Sequence, residues 1–358
     1  MARAVLMRTL ALLHRWVGGI VGLLLAVIGL SGAILVWEDS WIGVPGADEP
    51  LRAQVADFAR ALDAANAAGP GLTRLTFAGE DFGLHQAAYA DGSGAYLNQS
   101  GELVARWTSQ WDRPELWLFD LHHHLFLAEV GKTATGILGL AGLLFVVSGA
   151  ILWWRARRTF RLRPWPARLT RSAIVRQHRD IGIVAAPLLL ILTATGSLMV
   201  FDGLSDAVLA PWRDDPAAQR SIDVTAERSR TIAADSWQAA LSAAQQQFPH
   251  AAFRRVQFPK DGGAPLVLRM KQPADWTPNG RTYVRFDPVT WQVIGIDDPL
   301  EGDIARSIEE KFYPLHAAKV GGAAWKIAVS LAGVVLAMLG LLASYSFWFR
   351  GGLRQSAA

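Results

Sequence analysis

The sequence predicts a helical membrane protein: a bundle of four transmembrane helices, arranged as two tandem helix–domain–helix repeats, with two α+β domains outside the bilayer. Three features predict this fold. They are four long apolar stretches without charge, a one-sided distribution of arginine, and an internal repeat that divides the chain into halves.

The apolar stretches are long enough to cross a bilayer. Each runs for 21 to 23 residues without Asp, Glu, Lys or Arg: 16–37, 133–154, 181–201 and 327–349. At the helical rise of about 1.5 Å per residue, such a stretch spans the roughly 30 Å hydrocarbon core of a membrane. The first stretch is too long for the apolar region of a cleaved signal, so we expect it to stay as an anchor.

Arginine sets the expected topology. Residues 155–179 carry nine Arg and no acid, so the positive-inside rule places this loop in the cytoplasm together with both termini. Segment 38–132 holds 14 acids and 6 bases, and segment 202–322 holds 16 acids and 14 bases. We expect these two segments to lie on the periplasmic side.

The predicted organisation follows from these spans. In chain order it comprises a first transmembrane helix, a periplasmic domain, a second helix, an arginine-rich cytoplasmic loop, a third helix, a second periplasmic domain, a fourth helix and a cytoplasmic tail: 12–37, 38–132, 133–154, 155–180, 181–201, 202–322, 323–349 and 350–358.

Composition excludes several classes of function. The chain has no Cys, which excludes iron–sulfur clusters, covalently attached haem, thiolate zinc sites and disulfides. The net charge of +4 belongs mainly to the cytoplasmic face. No basic surface with interleaved aromatic residues is seen in a soluble segment, so we expect the lipid bilayer, and no nucleic acid, as a partner.

The two halves of the chain look like a duplication. The first apolar helix reads HRWVGGIVGLLLAVIGLSGAILVWED from His14, and the third reads HRDIGIVAAPLLLILTATGSLMVFDG from His178. Without a gap, the alignment matches polar as well as apolar positions: Arg15 with Arg179, Gly18 with Gly182, Ser31 with Thr195, and Glu38 with Asp202. The second and fourth helices correspond more loosely, and the repeat is parallel.

Both segments outside the membrane show α+β patterns. Each begins with an amphipathic helix, VADFARALDAANAAG in the first and DSWQAALSAAQQQFP, with an Asp cap, in the second. Four short runs then follow in each segment, beginning at Leu72, Leu84, Gly94 and Glu102 in the first and at Ala252, Pro265, Arg281 and Trp291 in the second. Their alternation and the turn residues between them predict antiparallel sheets.

Histidine introduces every membrane span. Of eight His, His14 and His178 precede the first and third spans, while His122–His124 and His316 precede the second and fourth. Antiparallel packing would bring His14 to His178 at one membrane face and His122 to His316 at the other. The alternative is that His is simply tolerated at a bilayer interface.

Two such pairs suit two b-type haems. Each haem needs two neutral imidazoles from facing helices as axial ligands, and no carboxylate accompanies the cytoplasmic pair in a tight cluster. Gly18 and Gly182 would leave room for a flat macrocycle, or would serve ordinary close helix packing. Arg15 and Arg179 are candidates to pair with haem propionates, or are positive-inside anchors. At the outer face we choose His122, with His124 in reserve.

The motifs HRWVGG, DLHHHLFLAEVGK, HRDIG and PLHAAKVGG resemble the PepSY-associated transmembrane helix family over nearly the whole chain, and RTYVRFDPVTWQVIG resembles the last strands of a PepSY domain. The resemblance implies a bacterial inner-membrane protein with His ligands at positions 14, 122, 178 and 316. This sequence departs from the family pattern in having His at 123 and 124, and Trp291 where Gly often follows the Thr.

Members with assigned roles resemble ferrisiderophore reductases, so the resemblance implies an oxidoreductase with two haem b groups that reduces a ferric siderophore or another ferric chelate. The sequence has no dinucleotide-binding fingerprint and no P-loop; electrons would come from a cytoplasmic donor or from quinol. Alternatives are a membrane-anchored regulator of periplasmic peptidases without redox activity, and a transporter subunit, which the absence of charge within the spans disfavours.

Overall fold

The computed structural model of the protein describes residues 2–214, 236–259 and 264–348. The chain divides into two compact units. We call them the membrane unit, which comprises Met1–Trp37, Trp117–Asp206 and Phe312–Ala358, and the sheet unit, which comprises Glu38–Leu116 and Ala207–Lys311.

The described α-helices are, in chain order, α1 (Ala2–Leu35), α2 (Glu38–Trp41), α3 (Val55–Ala68), α4 (Pro114–His124), α5 (Ala128–Ala156), α6 (Arg171–Val200), α7 (Asp202–Leu209), α8 (Trp237–Gln247), α9 (Ile304–Glu309), α10 (Phe312–His316) and α11 (Gly322–Trp348). Four of them, α1, α5, α6 and α11, are long and apolar enough to cross a membrane. They confirm the four predicted spans, and the chain is a membrane protein.

All four membrane helices begin earlier than the apolar stretches indicate, and α1 and α6 do so by the most. α6 begins at Arg171, within the predicted loop, and α1 begins at Ala2. The first turns of α6 are amphipathic, since Ala173, Ile174 and Gln177 are buried while Arg171 and Arg176 are exposed. His178 therefore lies about two turns inside α6 rather than ahead of it.

The membrane helices pack in pairs that follow the repeat. α1 contacts α11, and α5 contacts α6, so the first helix of each repeat packs on the second helix of the other. Glycine permits the close approach: a Cβ built on Gly29 would lie 2.6 Å from the carbonyl oxygen of Gly333, and one built on Gly142 would lie 2.8 Å from Thr193 Cγ2.

Short helices precede the second and fourth spans. α4 and α10 both end at a His and are followed by residues with positive φ, namely Leu125 (48°) and Phe126 (62°) after α4, and Ala318 (53°) after α10. Non-glycine residues rarely adopt this conformation. In each half the break lets the chain present His122 or His316 from a separate helix before the span begins.

The described residues of the sheet unit form one antiparallel sheet of eight strands in the order β4-β3-β2-β1-β5-β6-β7-β8. The strands are β1 (Leu72–Thr76), β2 (His85–Tyr89), β3 (Gly94–Leu97), β4 (Leu103–Trp107), β5 (Ala252–Gln257), β6 (Leu266–Lys271), β7 (Thr282–Phe286) and β8 (Val293–Asp297). They confirm the eight predicted strands. The two predicted α+β segments are joined because β1 pairs with β5, with Leu75 opposite Val256.

The joined sheet has a shared core. Phe58 and Leu62 of α3 and Leu241 of α8 pack in one cluster with sheet residues from both halves. The predicted cap Asp235 lies outside the described residues, and Ser236 is the N-cap of α8, where its Oγ accepts a hydrogen bond from Ala239 N–H. Trp291, between β7 and β8, has a φ of 59°, a conformation that favours glycine.

Candidate functional site

His14 of α1 and His178 of α6 form the first histidine pair. Their ring centroids are 6.1 Å apart and their planes lie at 88°. Both rings are only half-buried by protein. The two residues occupy equivalent positions in the repeat, so the packing of the four helices brings repeat-related imidazoles close together, edge to face, within the membrane unit.

Ser148 of α5 orients the His14 ring. His14 Nδ1 lies 2.7 Å from Ser148 Oγ, and the Ser148 hydroxyl itself donates to the carbonyl oxygen of Leu144 at 2.6 Å. Because that donation uses the hydroxyl proton, Ser148 Oγ accepts a hydrogen bond from His14 Nδ1–H. The lone pair of the neutral ring is then on Nε2, the nitrogen that is free to bind a metal.

A cavity of about 760 Å³ surrounds the first pair, within the size range of small-molecule and cofactor sites. Gly18 and Gly182 line it, and a Cβ built on either would meet its nearest neighbour only at 3.9 or 4.0 Å. These two glycines therefore do not serve close helix packing, unlike Gly29 or Gly142. They leave a flat wall beside the imidazoles.

Arginine gives the cavity a positive rim. Arg15, Arg171 and Arg179 all line it. Two hydrogen bonds fix the Arg179 side chain: its Nε donates to Asp180 Oδ1 at 2.7 Å and its Nη1 donates to Thr159 Oγ1 at 2.9 Å. Such a rim suits a ligand that is apolar over most of its surface and carries acidic groups at one edge.

Asp180 organises the loop that joins α5 to α6. Its side chain is fully buried and forms ion pairs with Arg163 and Arg179, and it also accepts a hydrogen bond from the backbone N–H of Arg161 at 3.3 Å. The sequence places Asp180 near the first pair without assigning it a role. In the structure it fixes the arginine-rich loop to α6, two residues beyond His178.

His122 of α4 and His316 of α10 form the second histidine pair, with ring centroids 6.2 Å apart and planes at 51°. His122 Nδ1 lies 3.1 Å from the carbonyl oxygen of Ile28. His316 Nδ1 lies 3.0 Å from the carbonyl oxygen of Leu192. A carbonyl only accepts, so Nδ1 carries the proton in both rings and Nε2 is again the free nitrogen.

The two neighbouring histidines turn elsewhere. His124 Nδ1 is 2.9 Å from Asp120 Oδ1, and His123 Nδ1 is 3.0 Å from the carbonyl oxygen of Phe119, on whose ring it stacks at 3.8 Å. Within the HHH run, His122 is thus the residue that the structure brings to His316. His124, the reserve candidate, is engaged by an acid on its own helix.

The spacing in both pairs fits two ligands of one metal. Imidazoles that bind a metal from opposite sides through Nε2 hold their ring centroids about 6 Å apart, given metal–nitrogen bonds of about 2.0 Å. Two imidazoles are few ligands for a bare metal ion, which usually takes four or more. A haem needs only two, since its porphyrin supplies the remaining nitrogens.

Several residues that contact the histidines were not singled out as site residues in the sequence. They are Ser148 beside His14, Ser31 and Gly32 beside His122, and Thr195 and Gly196 beside His316. A signal existed for four of them, because the repeat aligns Ser31 with Thr195 and Gly32 with Gly196. Their role as contacts of the second pair depends on how α4 and α10 fold back, which the alignment does not give.

Comparison with known proteins agrees with this architecture. No curated protein matches the chain. The family model described as "PepSY-associated TM region" matches residues 11–350, which include all four spans and both histidine pairs. The chain belongs to the family of proteins with this PepSY-associated transmembrane region.

Proposed function

We propose that the protein binds two b-type haems, one at each histidine pair, and carries electrons across the bacterial inner membrane to a ferric chelate such as a ferrisiderophore. The observation that carries the proposal is the pairing itself. Repeat-related imidazoles approach to 6.1 and 6.2 Å, and three of the four have Nδ1 engaged so that Nε2 is free.

The separation of the two pairs supports a route across the bilayer. On α1, Ile28 contacts the second pair and lies 14 residues after His14; on α6, Leu192 lies 14 residues after His178. At about 1.5 Å per residue, each interval corresponds to roughly 21 Å along the helix. One pair therefore belongs near each face of a hydrocarbon layer about 30 Å thick.

Side chains of the membrane unit would hold both cofactors. His14 and His178 would bind the inner haem and His122 and His316 the outer one. Arg15 and Arg179, at the rim of the cavity, are placed for the acidic edge of the inner haem. A b-type haem supplies reversible one-electron transfer between ferric and ferrous iron.

The proposed topology assigns each histidine pair to one side of the membrane. With the arginine-rich loop and both termini in the cytoplasm, the first pair would face the cytoplasmic donor or quinol, and the second pair would lie on the periplasmic side. Ferric siderophores bind iron far more tightly than their ferrous forms. Reduction by one electron at the outer face would release the metal there.

A haem assay on the purified protein tests this function directly. We expect a pyridine haemochrome ratio near two per chain and a low-spin b-type spectrum that changes on addition of dithionite. The peptidase-regulator alternative predicts a colourless protein. Colourless protein purified from haem-replete cells would overturn the proposal, as would a red protein that fails to reduce any ferric chelate under anaerobic conditions.

A further inference from the structure

Three of the four paired histidines rest on the same dipeptide, a Ser or Thr followed by Gly. Ser148–Gly149 lies beside His14, Ser31–Gly32 beside His122 and Thr195–Gly196 beside His316. The first two belong to the identical run SGAIL on α5 and α1, and the third is the repeat equivalent of the second on α6. The dipeptides thus recur on three different membrane helices.

The hydroxyl of each dipeptide lies against Nδ1 of its imidazole. The distances from Nδ1 to the hydroxyl oxygen are 2.7 Å at Ser148, 3.0 Å at Ser31 and 3.3 Å at Thr195. The hydroxyls in turn donate to backbone carbonyls one turn earlier, as Ser148 does to Leu144 at 2.6 Å and Thr195 to Ile191 at 2.7 Å. Each hydroxyl is therefore available to Nδ1 as an acceptor.

The glycine of each dipeptide makes room for the ring. A Cβ built on Gly32 would lie 2.7 Å from His122 Cε1, and one built on Gly196 would lie 2.8 Å from His316 Cε1. At Gly149 the corresponding distance to His14 Cε1 is 3.6 Å, an ordinary contact. Two of the three positions thus require glycine for the imidazole to keep its place, and the third does not.

We propose that these dipeptides are positioning seats for metal-binding imidazoles. Each hydroxyl holds the proton on Nδ1 so that Nε2 faces the metal, and Gly32 and Gly196 also leave space for their rings. The proposal rests on the proposed haem sites for its consequence but not for its geometry. Acceptors behind a ligating His raise the basicity of the metal-binding nitrogen. They therefore favour the ferric state of a bound haem.

The three seats differ in whether the imidazole Nδ1–H has another hydrogen-bond acceptor besides the hydroxyl. His122 and His316 also donate to backbone carbonyls, at 3.1 Å to Ile28 and at 3.0 Å to Leu192. For His14, Ser148 is the acceptor found among the described residues. Removal of the Ser148 hydroxyl therefore leaves His14 Nδ1 without that acceptor, whereas removal of the Ser31 hydroxyl leaves the Ile28 carbonyl in place.

The first test measures the midpoint potential of each haem by optical titration. We expect Ser148→Ala to raise the midpoint potential of the inner haem while haem content stays at the wild-type level. The conservative variant Ser148→Thr, which keeps a hydroxyl, should have the wild-type potential. Ser31→Ala should produce a smaller shift at the outer haem. Unchanged potentials in Ser148→Ala would overturn the proposal. So would a shift in Ser31→Ala larger than the one in Ser148→Ala.

The glycines provide a matched comparison. We expect Gly32→Ala and Gly196→Ala to lose the low-spin signal of the outer haem and to keep the inner one. Gly203→Ala should keep both, because nothing lies within 4 Å of a Cβ built there. Equal spectra for Gly32→Ala and Gly203→Ala would refute the steric part of the proposal.

The tautomer of His14 in the haem-free protein tests this inference independently of the proposed function. In the full-length protein labelled with ¹⁵N-histidine and reconstituted without haem, we expect nitrogen chemical shifts of the Nδ1–H form for His14, and the Ser148→Ala variant should lose that form. This result would support the seats even if the protein proved to bind no haem. An Nε2–H form of His14 in the wild type would overturn them whether or not haem is bound.

Discussion

Gly22 of α1 and Gly340 of α11 meet backbone to backbone: a Cβ built on Gly22 would lie 2.8 Å from the Gly340 carbonyl oxygen. In a bilayer, packing of this kind takes the place of the hydrophobic effect in holding helices together. The contact joins the first helix of one repeat to the second helix of the other, so it holds α1, and with it His14, in the bundle.

We expect Gly22→Val to destabilise the membrane unit by about 1–3 kcal/mol, the usual range for overpacking a close contact. Reversible unfolding in mixed detergent micelles would measure the change. Gly203→Ala is the control, because nothing lies within 4 Å of a Cβ built there. If both variants unfolded like the wild type, the α1–α11 contact would not be the close one described.

His85 makes the sheet unit sensitive to acid. Its Nδ1 accepts a hydrogen bond from Ala78 N–H at 3.0 Å, which requires the neutral ring, and its buried Nε2 has no partner among the described residues. Burial lowers the pKa of His85 to about 4, against a smaller opposing effect of Asp57. The unfolded chain, with a His pKa of about 6.5, therefore takes up a proton first as the pH falls.

Stability of the sheet unit should then be unaffected above about pH 6.5 and decline between pH 6.5 and 4, by about 3 kcal/mol in full. Hydrogen exchange of the β2 and β3 amides at pH 7 and pH 4.5 would measure it. In His85→Asn, which keeps an acceptor for Ala78 N–H, the decline over this pH range should be smaller. The same pH profile in the variant and the wild type would assign the effect to other groups.

The inner haem is expected to depend equally on both members of the first pair. If His14 and His178 bind one haem, as proposed, His14→Ala and His178→Ala should each lose the low-spin inner haem and the double variant should lose nothing more. The measurement is haem content and the low-spin spectrum at matched protein levels. Full haem content in either single variant would show that the inner site is wrongly assigned.

The spans and strands were predictable because each rests on a local pattern. Four uncharged stretches, and eight alternating runs bounded by Pro, Gly and Asp, give the element types directly. The proximity of His14 to His178 was also expected, since antiparallel spans leave few alternatives. The choice of His122 within HHH rested only on its place after Leu121, as His316 follows Leu315. In the structure the His122 ring lies 6.2 Å from that of His316, and its role as a haem ligand stays a prediction.

The remaining features depend on contacts between distant segments. The pairing of β1 with β5, which joins the two α+β segments, involves residues about 180 apart in the chain, as Leu75 and Val256 show. Likewise, Ser148 appears as an ordinary small residue of a membrane helix until α5 is packed against α1. Patterns along the chain report which face of an element is buried, but not which element covers it.

Asp180 should stabilise the folded conformation of the arginine-rich loop. Its buried carboxylate binds Arg163 and Arg179, and Arg179 lines the cavity of the first pair. We expect Asp180→Asn to destabilise the loop by about 1–3 kcal/mol, because the arginines lose their charged acceptor while the shape of the side chain is kept. Limited trypsin digestion of inside-out vesicles should then cleave after Arg161 faster than in the wild type. In the control variant Arg60→Gln, which changes an exposed arginine of α3, cleavage of this loop should be unchanged. Equal cleavage rates in Asp180→Asn and the wild type would contradict this role.

The last prediction joins the topology to the second histidine pair. If one haem lies near each face, neither alone crosses the hydrocarbon layer, so reduction of an external ferric chelate requires both. We expect His316→Ala to stop formation of the ferrous chelate outside proteoliposomes that hold reductant on the cytoplasmic face, while the inner haem is still reduced.

His124→Ala is the matched control, because His124 binds Asp120 rather than facing His316. The rate of chelate reduction in this variant should stay near that of the wild type. A purely structural role of His316 predicts loss of the protein or no change of rate. Equal rates in His316→Ala and the wild type, at matched protein levels, would refute the outer site even if the inner pair binds haem.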